Sequence, residues 1–239
     1  MDSLGDLKIS GMGKMNGGKF NNVDISGMGK ILGDIEANSI TVSGSGNIGG
    51  NAKASRVSVS GNASINGDVE GERVESSGNF KTSGSVKAAE ISNSGRIRID
   101  GNLKSKKIIS EGMLSIGGEL EAEEFYTDGV FKVGGLLNAN TIDVKIQWDS
   151  YAKEIGGETI KVRKGKHFGM NFIFLLFSKG FGLQADVIEG TDIYLENTKA
   201  KVVRGNKVKI GPDCNIDQVE YTDSFEVAAG SVVKNQVKS

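Results

Sequence analysis

The residues able to do chemistry in this chain are few. A general base near neutral pH is most often histidine, and the sequence carries one, His167, so a Ser/His/Asp or Cys/His site would have to use it. Its neighbours are lysines and aromatic residues, and it reads as one more cation there. Cys214 is the single cysteine, which excludes an internal disulfide. With no second cysteine or histidine nearby it lacks zinc-ligand spacing and reads as a packed core residue. The pairs Gly11 with Gly13, Gly27 with Gly29 and Gly44 with Gly46 begin like a phosphate-binding GxGxxG. None is followed by a helix start or a GK[ST], and all belong to a wider lattice of glycines. No catalytic residue, cofactor site or metal site is assigned, and the chain reads as a non-enzyme.

That lattice organises the first half of the chain. Glycines stand at 11, 27, 44, 61, 78, 95, 112 and 129, 17 apart after a first step of 16, and each is followed six residues later by another, from Gly17 to Gly135. Self-similarity of this kind marks a repeat architecture in which each unit buries its apolar face only against its neighbours. Counted from the first glycine, apolar residues prefer offsets +2 and +4 (Ile97, Ile99), +8 and +10 (Val86, Ala88), and +13 and +15 (Ile40, Val42). Period-two alternation makes each pair one face of a short strand, and three strands with three corners close a triangular coil. Two corners fall at the glycines, which are expected to turn through backbone angles that other residues reach at a cost. At the third, Arg73, Glu90, Lys107 and Glu124 alternate in sign from coil to coil. The predicted fold is all-β, a right-handed parallel β-helix of triangular coils of about 17 residues with a thin, dry core. Left-handed acyltransferase helices step by six residues and need a catalytic histidine, whereas the glycine steps here alternate between 6 and 11.

The remaining sequence divides into a short tail (1–8), the main β-helix (9–150), a joint with a basic, aromatic insert (151–182), and a second, shorter β-helical segment with a C-terminal tail (183–239). The second run has period 15: Ala185 matches Ala200, Ile188 matches Val203, Gly190 matches Gly205 and Leu195 matches Ile210. Lys19 stands where other coils have an apolar residue and Phe20 is one place out of step, as in an atypical end coil. The net charge of -1 gives no basic face for nucleic acid. The start MDSLGDLK has neither a cationic nor an apolar signal core, which points to the cytoplasm. No run reaches the roughly 20 apolar residues of a membrane span.

The 17-residue coils, the joint IGGETIKVRKG (155–165) and above all IEGTDIYLENTKAKVVRGNKVKIGPDCNIDQVEY (188–221) resemble the bactofilins, polymer-forming cytoskeletal proteins of bacteria, in their long Gram-positive form. The resemblance implies end-to-end polymerisation without nucleotide into non-polar, often membrane-associated filaments that scaffold other proteins in cell shape, wall synthesis, division or motility. A paralogous bactofilin is then a candidate partner beside self-association. No small-molecule substrate or cofactor is implied.

Two sets of contact residues are expected. An open coil end is a template for another chain, which nominates Ile9, Met15, Phe20 and Val23 at one end and Ile216, Val219, Tyr221 and Phe225 at the other as the polymer interface. The alternative is a scaffold bound to a partner or to the inner face of the cell membrane through the insert 165–182, with Lys164, Lys166, Phe168, Phe172, Ile173, Phe174, Leu175, Leu176, Phe177 and Lys179 in contact.

Overall fold

Apolar pairs two residues apart bury only one face of a short strand, so each coil must lie on another to hide it. The computed structural model, which describes residues 4–165 and 182–239, resolves this as an all-β solenoid of parallel strands, with no helix among the described residues. The chain forms two compact units, residues 1–118 and 119–239. The division lies within the glycine-punctuated run, upstream of the change in composition near residue 150.

The first unit contains β1 (Leu7–Ile9), β2 (Met12–Lys19), β3 (Asn22–Ile25), β4 (Met28–Val42), β5 (Ser45–Ile48), β6 (Ala52–Val59), β7 (Asn62–Ile65), β8 (Val69–Ser76), β9 (Asn79–Thr82), β10 (Val86–Asn93), β11 (Arg96–Ile99), β12 (Leu103–Ser110) and β13 (Met113–Ile116). Its ladder follows the glycine period: Ala52 pairs with Val69, Val69 with Val86 and Val86 with Leu103. Each coil has three sides. Inward pairs at +2/+4, such as Ile97/Ile99, form the first side; those at +8/+10, such as Val86/Ala88, the second; and those at +13/+15, such as Ile40/Val42, the third. All six of these side chains are buried.

Two strands per coil are found in most of this unit where three were expected. The polar corner carries no glycine, so the backbone stays extended through it and one eight-residue strand serves two sides. Pairing skips only the corner residue, as between Ala88↔Gly71 and Glu90↔Arg73. Glu90 accepts an ion pair from Arg73 there at 2.5 Å.

The lattice glycines are required for a different reason from the one expected. Among the described glycines positive φ occurs only at Gly18, Gly33 and Gly230, of which Gly33 alone belongs to the lattice. At Gly27, Gly44, Gly61, Gly78, Gly95 and Gly112 a Cβ would fall under 3.0 Å from the carbonyl oxygen of the lattice glycine one coil below. Close stacking, not backbone angle, excludes a side chain. The second glycine set makes room for a polar ladder: Asp34 Oδ1 accepts from the Asn51 N–H (2.7 Å), Asn51 Oδ1 from Asp68 N–H (2.8 Å), and Asp68 Oδ1 from Ser85 N–H (2.7 Å). The core is not uniformly apolar either. Ser76, Asn93 and Ser110 succeed one another on the third side where lower coils have Val42 and Val59, and all three are buried. Asn93 Nδ2 donates to Ser110 Oγ at 3.0 Å, while its Oδ1 has no partner.

The second unit contains β14 (Leu120–Thr127), β15 (Val130–Ile146), β16 (Ser150–Lys164), β17 (Leu183–Leu195), β18 (Thr198–Ile210), β19 (Asn215–Val227) and β20 (Val232–Lys238). Strands β15 to β19 each run round all three sides. The ladder is unbroken from β14 to β20, so the joint is itself a strand, with Ile155 paired to Leu137 and Ile188. The period-15 matches read from sequence are register partners of β17 and β18. Between β16 and β17 the step is 33 residues (Ser150↔Leu183), a coil of 15 enlarged by residues 165 to 182.

Candidate assembly surface

In both units buried side chains alternate with exposed ones until the last layer, where the alternation loses its cover. At the N-terminal end, among the described residues, β1 pairs with β3 alone (Leu7↔Val23, Ile9↔Ile25) and β2 with β4 alone. Leu7 and Lys8, read from sequence as tail, are therefore paired residues of the first layer. Asp6 fastens that layer, its Oδ1 accepting from Asn21 Nδ2 and from the Asn22 N–H at 3.1 Å each. A register shift between Asn16 and Gly18 accounts for the out-of-step Lys19 and Phe20. Lys19 faces outward to Glu36 (2.8 Å), and the Phe20 N–H donates to Glu36 O (2.9 Å), which sets Phe20 on the second side in the place of Ala37. Met15 takes the first-side place of Ile31 but is 45% exposed where Ile31 is 0%. Ile9 and Val23 are buried.

At the C-terminal end β20 lies over β19 from Asn215↔Val232 to Tyr221↔Lys238. Ile216 and Val219 are therefore covered by Val233 and Gln236 and are 0% exposed, so they lie one layer below any surface a neighbour could touch. The third side of β19 is paired with β18 (Phe225↔Val208, Val227↔Ile210), and no described residue pairs with its other edge. Phe225 is half-buried, stacked on Tyr221 with centroids 5.3 Å apart, and Val227 is 47% exposed. Of the nominated residues, Met15, Phe20, Tyr221 and Phe225 are presented. Gly13, Val233 and the edge residues Ser224, Glu226 and Val227 were not nominated, although the alternation at Val227 and Val233 was visible.

Except for Lys164, the nominated insert residues (Lys166, Phe168, Phe172, Ile173, Phe174, Leu175, Leu176, Phe177 and Lys179) lie outside the described residues, as does His167. Lys164 is engaged within the solenoid, its Nζ 2.9 Å from Asp213 Oδ2 and its N–H donating to Glu196 Oε2 at 2.7 Å. Cys214 is buried, 3.3 Å from Leu195 O, and burial pushes its thiol up to about 11. A groove of about 620 Å3 on the outer third side of the second unit is lined by Lys161, Asp192, Tyr194 and Lys209 among others. Two of its lysines are matched to acids, Lys209 to Glu226 at 2.7 Å and Lys207 to Asp192 at 3.9 Å. Among the described residues no group of three or more His, Cys, Asp or Glu could hold a metal ion, and no helix is long and apolar enough to cross a membrane.

Comparison with known proteins places the chain beside two Bacillus subtilis (strain 168) relatives. It is 43% identical over 103 residues to the uncharacterized protein YhbF, covering 42% of this chain and 40% of the relative. It is 42% identical over 102 residues to the uncharacterized protein YhbE, covering 42% of each. The chain thus spans about two fifths of the length of the curated relatives it matches. No family model matches, and no solved structure matches.

Outward ion pairs tie both end layers to the coils behind them and give them a pH dependence. The Lys19 ammonium beside Glu36 holds that carboxyl below its ordinary range; Lys234 does the same for Asp217, and the Arg204 guanidinium for Glu220. A carboxylate whose pKa is lowered on folding contributes stability that is complete above its unfolded pKa and is lost as pH falls through the folded value. The thermal midpoint should stay flat down to about pH 5 and fall below it, with amide exchange rising first in β2, β19 and β20. Exchange that rises uniformly along the ladder would contradict this assignment.

Proposed function

We propose that the protein is a non-enzymatic structural scaffold that self-associates end to end, without nucleotide, into filaments. A β-solenoid is consistent with a structural scaffold. The observation that carries the finer reading is the state of the two end layers: strands whose outer edge pairs with no described residue, bearing Met15, Phe225 and Val227 at positions that the coils behind them bury, with the half-buried Phe20 beside them. Burying such surface between copies is favourable at roughly 25 cal/mol per Å2 of apolar area and needs no bound ligand. The resemblance to bactofilins agrees, and adds a cytoplasmic scaffold of cell shape, wall synthesis, division or motility, with a paralogous chain as a candidate co-polymer.

Negative-stain microscopy and light scattering of the purified protein without nucleotide test the proposal directly. Wild-type chains should form filaments. Phe20→Arg or Phe225→Arg places a cation in the contact and should shift the mass to monomers or dimers while circular dichroism stays unchanged. Undiminished assembly in both variants would remove the end layers from the mechanism.

A further inference from the structure

An asparagine side chain can reach the next backbone nitrogen with least hindrance when glycine follows, because glycine has no Cβ beside that nitrogen. The chain has two such pairs, Asn16–Gly17 and Asn66–Gly67. The first lies inside strand β2, with Asn16 in register with Leu32. The second stands at a corner of the first unit, between β7 and β8. Asn66 is exposed, and its carboxamide has no hydrogen-bond partner among the described residues. Nor has the Gly67 N–H, whereas at the same corner of later coils the Gly101 N–H donates to Gly84 O and the Gly118 N–H to Gly101 O, at 3.0 Å each. A ladder pairs nearly all of its backbone N–H groups, so nucleophile and electrophile are both idle here where most are engaged. The asparagines followed by serine are held instead. Asn38 Nδ2 donates to Asn21 Oδ1 at 2.7 Å, and the buried Asn93 donates through Nδ2 to Ser110 Oγ and Met113 O.

We propose that Asn66–Gly67 is a site of spontaneous covalent modification, at which the asparagine deamidates to aspartate and isoaspartate in the folded protein. The Gly67 N–H gives its proton to water or hydroxide, and the nitrogen attacks Asn66 Cγ. The new N–Cγ bond forms as the Cγ–Nδ2 bond breaks, and Nδ2 takes a proton from solvent and leaves as ammonia. A five-membered succinimide remains. Water then adds to one of its two carbonyl carbons. Opening between Cγ and nitrogen restores the backbone and leaves aspartate; opening between the main-chain carbonyl carbon and nitrogen leaves the chain running through Cγ, as isoaspartate. The sum is asparagine plus water giving an aspartyl residue plus ammonia, and nothing is oxidised or reduced. The modification goes beyond the end-to-end reading and holds whether or not the chain assembles.

Isoaspartate does more at this corner than add a charge. The Asn66 N–H is anchored on Ile48 O at 2.9 Å, and the Asp68 N–H on Asn51 Oδ1 at 2.8 Å. Between those anchors the backbone gains one methylene carbon. Gly67 has little room to absorb it, since even a Cβ there would fall under 3.0 Å from Asn51 Oδ1 and from Gly50 C one coil below. One of the two anchors must give, and in a repeat fold the damage lands on that coil and its neighbours. Aspartate leaves the backbone as it was and adds only a negative charge at an exposed position. Because no enzyme is needed, the lesion accumulates with the age of the chain.

Ageing the purified full chain in mildly alkaline buffer tests the proposal, with circular dichroism confirming that it stays folded. Peptide mapping by mass spectrometry should find the deamidation increment first on the peptide containing Asn66, with ammonia released in step. A protein isoaspartyl methyltransferase supplied with S-adenosylmethionine should then methylate the same peptide. Asn66→Ser should abolish both that early increment and the matching ammonia. In the separated isoaspartate fraction, amide exchange at Asp68 should rise and the thermal midpoint should fall, while freshly prepared Asn66→Asp should melt with the wild type. Deamidation that begins at Asn16, Asn38 or Asn93 while Asn66 stays intact would overturn the proposal, as would an Asn66 that reacts only once the chain is unfolded. An isoaspartate fraction that melts with the wild type would overturn the loss assigned to the corner.

Discussion

Gly78→Ala is expected to lower the stability of the solenoid by about 3 kcal/mol, the upper range for overpacking a close-packed interior. A Cβ at residue 78 would lie under 3.0 Å from both Gly61 O and Ser60 O. Both atoms belong to backbone held in the ladder: Gly61 O accepts from the Asn79 N–H at 2.8 Å, and Gly61 N–H donates to Val42 O at 3.1 Å. Neither can retreat without breaking the pairing of a whole coil. Gly11 provides an internal control, since it occupies the same lattice position but has nothing within 4 Å of where its Cβ would be. Gly11→Ala should therefore change stability by no more than about 0.5 kcal/mol, as for an unconstrained surface site. Urea unfolding midpoints of the two variants decide the matter. Equal effects would show that the lattice reflects chain conformation rather than the stacking distance.

The contrast between those two glycines also shows why the fold was legible while part of its physics was not. Period 17 is a statement about which residues lie above one another, and the inward triplets of pairs followed from it directly. Sequence does not carry the distance between layers, so Gly78 looked like a turn residue when its function is close approach. The same blind spot hid the corner ladder. Asp34, Asn51, Asp68, Ser85 and Asn102 each follow a second glycine, a pattern open to inspection, but its meaning depends on a side-chain oxygen reaching the N–H one coil above. Asn93 was hidden for another reason. An inward +15 position was read as apolar from Ile25, Val42 and Val59, and a buried column of Ser76, Asn93 and Ser110 appears only once the faces are assigned.

The ends were less legible than the middle because an end is defined by what fails to cover it. Phe20 looked out of step only because the first coil is a residue short, and the shift between Asn16 and Gly18 restores it to an inward place. Ile216 and Val219 looked terminal because the sequence repeat weakens after Tyr221. Val233 and Gln236 prolong the ladder with little repeat signal, since only one of the two is apolar. Loss of sequence similarity and loss of structural pairing are different events, and here they lie one layer apart.

Phe125→Ala is expected to produce the largest loss among core truncations, about 3–5 kcal/mol. Phe125 is 0% exposed and meets Phe131 edge to face, with centroids 5.5 Å apart and rings at 81°. An ordinary core recovers part of such a deletion by collapsing around the gap, but the neighbouring backbones here are held by their ladder hydrogen bonds at about 4.8 Å and cannot close inward. The cavity persists, and the aromatic pair worth about 0.5–1.5 kcal/mol beyond its area is lost with it. Phe125→Leu, which restores most of the volume, should recover more than half of the loss. Because each coil contacts only its neighbours, the damage should be local: amide exchange should rise in β14 and β15 while β18 to β20 keep their protection. That locality separates core from end. Below its melting transition the Phe125→Ala chain should still assemble, whereas Phe225→Arg, with an intact core, should not. Loss of filaments in both would mean that assembly depends on the stability of the whole solenoid rather than on the fit of its ends.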